Sequence, residues 1–146
     1  MQLKSLQQVL LQAQEQESAE VRKLAAMQGV LDQEHQQRSN LAKHQQIYQQ
    51  QAPAAGQHLT VGYLDEYSAF LQKLHEALQQ QDVRIQYFVD QLAVQRQRWH
   101  VAHVRVESLQ MLITRYETDK HRQAMKREQN QLDEFNQRRD RRDDHG

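Results

Sequence analysis

The chain has 146 residues, with 19 Lys and Arg balanced by 19 Asp and Glu, no cysteine, one proline and four glycines. Glutamine alone occurs 29 times and 26% of the residues are charged, which leaves too little apolar material for a compact globular core. Zero net charge removes the basic field that nucleic-acid binding draws on, and the absence of cysteine excludes disulfides and thiolate chemistry.

A mean hydropathy of -1.01 is compatible with disorder, but Pro and Ser are scarce while Gln, Glu, Leu, Ala and Arg dominate, so long helices are expected. The opening residues lack an apolar run long enough for a signal peptide. No stretch approaches the roughly 18 apolar residues of a membrane span, so residence in the cytoplasm is the expectation.

Steps of three and four from Leu3 reach Leu6, Leu10, Ala13, Glu17, Glu20, Leu24, Met27, Leu31, Glu34, Arg38, Leu41, Gln45 and Tyr48. Most of these positions are apolar, and their spacing puts one stripe along one side of a helix spanning residues 2–50. Next, Gln51-Ala-Pro-Ala-Ala-Gly-Gln-His-Leu carries the only proline and a glycine, so residues 51–60 read as a turn. Thr60 can cap the following helix, with Leu59 and Leu64 placed as a hydrophobic staple. A second seam follows at Tyr67, Leu71, Leu74, Leu78, Gln81, Ile85, Phe88, Leu92, Gln95, Trp99, Ala102, Val106, Leu109, Ile113 and Tyr116. It belongs to a helix from 61 to 138, with a frayed tail over 139–146.

Both seams must leave water, and a short connection makes antiparallel packing the simplest way to bury them. The expected fold class is therefore all-α: a long antiparallel two-helix coiled-coil hairpin forming one rod, with a C-terminal helical overhang. A turn centred on Gly56 sets residue i against residue 112 minus i. Leu6 then meets Val106, Leu24 meets Phe88, Met27 meets Ile85, and polar Glu17 falls opposite polar Gln95. Nearer the turn, the same register puts Glu34, Arg38 and Gln45 against Leu78, Leu74 and Tyr67, which leaves apolar groups there for a partner.

Chemistry-bearing constellations are few. His100, His103 and Glu107 could share a helix face as metal ligands, but all three sit at flanking positions where solvated polar residues belong, and no metal or cofactor is assigned. There is no phosphate-binding glycine loop and no activated nucleophile, so no catalytic residue is assigned and the chain is not expected to be an enzyme. Arg138, Arg139, Arg141 and Arg142 form a basic knot that Asp140, Asp143 and Asp144 largely neutralise, which fits a solvated terminus first and contact with an acidic protein surface second.

Glu128-Gln-Asn-Gln-Leu-Asp-Glu-Phe-Asn-Gln-Arg-Arg139 resembles the ending of the flagellar export protein FliJ family, in which a Glu-Gln pair precedes Asp-Glu, an apolar residue and basic residues. Tyr67-Ser-Ala-Phe70 with Leu74 and Gln81, the mid-helix Trp99, and Tyr48 at the close of the first helix extend the resemblance over nearly the full length. His44 and Ile47 stand where the family often has Tyr and Glu.

The resemblance implies a non-enzymatic stalk of the flagellar type III export apparatus, similar to the shaft of rotary ATPases. It implies that Leu3, Leu6, Leu10, Met111, Tyr116, Glu128, Gln129, Asp133, Glu134, Phe135, Arg138 and Arg139 meet the ring of the export ATPase. The turn end, with Leu41, His44, Tyr48, Tyr67, Phe70, Leu74 and Leu78, would meet the cytoplasmic domain of the export gate. Export chaperones are further expected partners, and membrane association would come only through partners. The alternatives are the equivalent stalk of a virulence injectisome and a self-associating structural coiled coil.

Overall fold

The computed structural model describes residues 2–51 and 61–144. They form two α-helices, α1 at Leu3–Gln50 and α2 at Val61–Asp144, in an all-α helical hairpin. The Gln2 carbonyl accepts from the Ser5 and Leu6 amides to open α1, and at its far end the Gln51 amide still donates to the Ile47 carbonyl at 3.1 Å. The segment expected to reverse the chain, with Gly56, Leu59 and Thr60, lies outside the described residues. α2 runs on to Asp144, six residues past the expected end at 138. Arg141 and Arg142 in its last turn suit the negative pole of the helix dipole.

Glutamine has a local structural use on the exposed faces. Gln28, Gln36, Gln72 and Gln86 each donate their side-chain amide to an acceptor four residues on: Asp32, Asn40, Glu76 and Asp90. Such i,i+4 pairs add a few tenths of a kcal/mol each to a helix, about 0.2–0.5.

Two units are distinguished by their packing. One joins Met1–Glu17 to Val101–Gly146 and the other is Ser18–His100. In the first, Leu6, Ala13, Ala102, Val106 and Ile113 are buried; in the second, Leu31, Leu78 and Leu92 are. All belong to the two seams expected from the sequence. Full burial of a Leu in such a seam contributes about 1.5–3 kcal/mol, which offsets the weak apolar content elsewhere.

The register differs from the expected one. Gln95 bonds to Glu20, Gln81 to Glu34 and Tyr67 to Tyr48, so residue i stands against residue 115 minus i in the Ser18–His100 unit. Gln95 is taken by Glu20, and Met27 comes level with Phe88 rather than Ile85. Near the turn, Glu34 meets Gln81 and Arg84 instead of Leu78, and Arg38 pairs with Asp82 instead of facing Leu74. The physical reason is that the shift of three residues matches both polar layers at once, where a register centred on Gly56 matches only one. It also re-buries the apolar side: Leu78 is only 9% exposed and Leu71 and Leu74 are half-buried.

Candidate partner-binding surfaces

In the Ser18–His100 unit, the residues nearest the turn gather into an aromatic cluster. Tyr48 stacks on Tyr67 with ring centroids 4.9 Å apart and an interplanar angle of 15°, and it meets Phe70 at 4.3 Å in a tilted arrangement. The Tyr67 hydroxyl donates to the Tyr48 carbonyl at 3.1 Å, satisfying one of the acceptors that the last turn of α1 leaves open. Phe70 is 44% exposed and is the most open ring of this cluster. Of the other residues expected here, His44 is exposed, Leu41 and Leu74 are half-buried in the seam, and Leu78 is buried there. The structure therefore brings together Tyr48, Tyr67 and Phe70 and commits Leu78 to the core. Val61, Tyr63 and Leu64 are exposed apolar residues on the first turn of α2 that the sequence reading did not single out as a surface.

Further along the same unit, Glu34 is held by three donors. The Gln81 amide reaches its carboxylate at 2.5 Å and its backbone carbonyl at 2.8 Å, and Arg84 adds contacts of 2.9 and 3.3 Å. Hydrogen bonding from Arg84, then from Gln81, holds the Glu34 carboxyl below its ordinary value, and the bond to Glu34 holds the Arg84 guanidinium above its own. Arg84 also lies 5.9 Å from the Phe88 ring centroid, in cation–π range.

In the unit of Met1–Glu17 with Val101–Gly146, His103 is not the solvated flanking residue expected. It is half-buried, with Nδ1 2.7 Å from the Glu17 carboxylate across the helix pair and Nε2 3.0 Å from Glu107 one turn along α2. Both nitrogens donate when the ring is protonated. Hydrogen bonding to Glu17 chiefly, with the charge of Glu107, holds the imidazole pKa above its ordinary 6.5 against partial desolvation. Among the described residues, no group of three or more His, Cys, Asp or Glu is arranged to hold a metal ion.

Leu6 is buried in the seam of this unit and Leu3 and Leu10 are half-buried there, so all three serve the helix pair. Met111 is 62% exposed and Tyr116 is exposed too. Ile113 is the last buried residue of α2, and every position from Thr114 to Asp144 is exposed while the helix continues without a break. At 3.6 residues per turn, Glu128, Phe135 and Arg139 share one side of this segment, and Met125 and Leu132 lie next to them on that side. Asp133 stands about 160° round the helix from Phe135. Met125 and Leu132 were missed by the sequence reading; their signal is the 7-residue spacing of two apolar residues in an otherwise polar stretch.

The family model described as Flagellar FliJ protein matches residues 1–144. The chain belongs to the FliJ family. No curated protein and no solved structure gives a match to it. Membership makes the chain a component of flagellar protein export. The match extends over both helices of the hairpin, so the FliJ-like C-terminal sequence Glu128–Arg139 is the solvent-exposed part of α2 and Tyr67–Phe70 supplies the aromatic cluster. No helix among the described residues of this FliJ-family chain is long and apolar enough to cross a membrane.

Proposed function

We propose that the chain is a non-enzymatic stalk of the flagellar type III export apparatus, standing in the ring of the export ATPase and stimulating it. The observation that carries this reading is the exposed helix from Thr114 to Asp144, with Met125, Leu132 and Phe135 uncovered on one side and charges of both signs around them. A single helix of that length, about 46 Å at 1.5 Å per residue, suits the bore of a ring, and dispersed weak contacts suit a part held without a large hydrophobic face.

The aromatic cluster at the turn-proximal end of the other unit is the surface proposed for the cytoplasmic domain of the export gate. Export chaperones complete the partner set. The protein would sit at the cytoplasmic face of the inner membrane through these partners. The stalk of a virulence injectisome is the nearest alternative, and the flagellar family match favours the export role in the flagellum.

The test is the ATPase rate and assembly state of the cognate export ATPase with the full chain and with a version ending at Arg115. Stimulation by the full chain that disappears on truncation is expected. Equal stimulation by both would remove the exposed helix from the mechanism, and no stimulation by either would remove the stalk reading.

A further inference from the structure

The Ser18–His100 unit contains two buried polar layers of the same construction. In one, the Gln81 side-chain amide donates to the Glu34 carboxylate and to the Glu34 backbone carbonyl at 2.8 Å; in the other, Gln95 donates to the Glu20 carboxylate and to the Glu20 backbone carbonyl at 3.2 Å. All four residues are buried, between 3% and 8% exposed. No described buried side-chain nitrogen or oxygen lacks a hydrogen-bond partner. From Glu20 to Glu34 is 14 residues, and from Gln81 to Gln95 is also 14.

From this equality we infer that the two Glu–Gln layers act together as a register lock, selecting one stagger of α1 against α2 from the several that the apolar seams alone would accept. The seams repeat every seven residues and consist largely of Leu, Met, Ile and Phe, so a slip of one heptad still buries apolar side chains against apolar side chains. The polar layers do not tolerate it. Under a one-heptad slip, Gln81 meets Met27 or Leu41, and Glu34 meets Phe88 or Leu74. Each loses its partner inside the seam, where an unpaired amide or carboxylate is costly.

Each lock also reads the backbone. Because one amide group spans a carboxylate and the carbonyl of the same residue, the Gln must lie level with its Glu and cannot serve a neighbour one turn away. The two layers differ in their outer support: Glu34 takes a further 2.9 Å ion pair from Arg84, while Glu20 has Lys23 at 3.9 Å.

The chain contains no cysteine, so spin labels can be placed at will. Lys43 and Gln97 are exposed helical positions of this unit. In the observed register they lie about 25 residues apart along the helix pair, roughly 38 Å at 1.5 Å per residue, and a heptad slip moves that separation by about 10 Å either way. Labels on Lys43→Cys and Gln97→Cys, read by pulsed electron spin resonance, should give one narrow distance in the parent chain. Replacing all four layer residues by Leu should keep the helices yet split the distribution into peaks about 10 Å apart. A single peak of parental width in that fourfold variant would overturn the lock. The matched variant, Glu20→Gln with Glu34→Gln, keeps size and every acceptor that Gln95 and Gln81 use, the backbone carbonyls included, and should keep the single distance. A split distribution there would equally overturn it, because matched pairing would then not suffice.

Discussion

His103 couples proton binding to the packing of Met1–Glu17 on Val101–Gly146. Its folded pKa is raised, so the stability it contributes is fully present below the ordinary value of 6.5 and is lost as pH rises through the raised folded value. Glu34 has the opposite sign. Its carboxyl is held below the ordinary 4.5, so its contribution is present above that pH and is lost as acid protonates it in the folded state. Thermal melts should therefore show a fall in melting temperature on going from about pH 6 to 8, and His103→Gln should flatten that limb while leaving the acid limb in place. A proton titration of the His103 ring by NMR that gives a midpoint at or below 6.5 would contradict the geometry. The role of this side chain was not legible in the sequence, because Glu17 and His103 lie 86 positions apart and only the true register brings them together.

Both seams were readable at the level of the element because apolar side chains at a 3.5-residue average spacing must be buried, and thirteen of the fourteen α1 seam positions are indeed buried or half-buried. Arg38 is the exception, swung out to Asp82. The register was not readable from periodicity, since a seam that repeats looks the same after every shift. Glu17 and Gln95 offered one polar coincidence, and only the pairs Glu20–Gln95 and Glu34–Gln81 taken together identify the offset. The same division between seam and solvent sets mutational costs along α2 and α1. Leu31→Ala, at 6% exposure, should cost about 2–4 kcal/mol in denaturant unfolding, whereas Leu132→Ala, at 62%, should change stability by less than about 0.5 kcal/mol. Gly29 sits inside α1 with nothing within 4 Å of an added Cβ, so Gly29→Ala should raise stability by about 0.5–1 kcal/mol.

For the molecule as a whole, the family match and the hairpin fix the class of protein, while the two proposed partner surfaces rest on where exposed apolar residues occur in each unit. The ring-facing candidates Glu128, Phe135 and Arg139 were legible as a sequence motif, but their common side with Met125 and Leu132 depends on the helix continuing to Asp144. This geometry separates two substitutions that the motif alone would group. Phe135→Ala removes an apolar group from the Met125–Leu132 side, and Asp133→Ala removes a charge about 160° round the helix from Phe135. If the ATPase ring grips the helix through that apolar side, Phe135→Ala alone should reduce stimulation by a factor of several, Asp133→Ala should have the smaller effect, and circular dichroism of both should match the parent. The gate surface is tested in parallel on Phe70, whose ring is exposed, rather than on buried Leu78. Phe70→Asp should weaken capture of the gate domain while leaving ATPase stimulation at the parental rate. Should Phe70→Asp lose both activities with helicity intact, one surface would be serving both partners and the division of labour between the two units would be wrong. Loss of gate capture alone would place the two partners on separate units, so that ring and gate can be held at the same time by one chain.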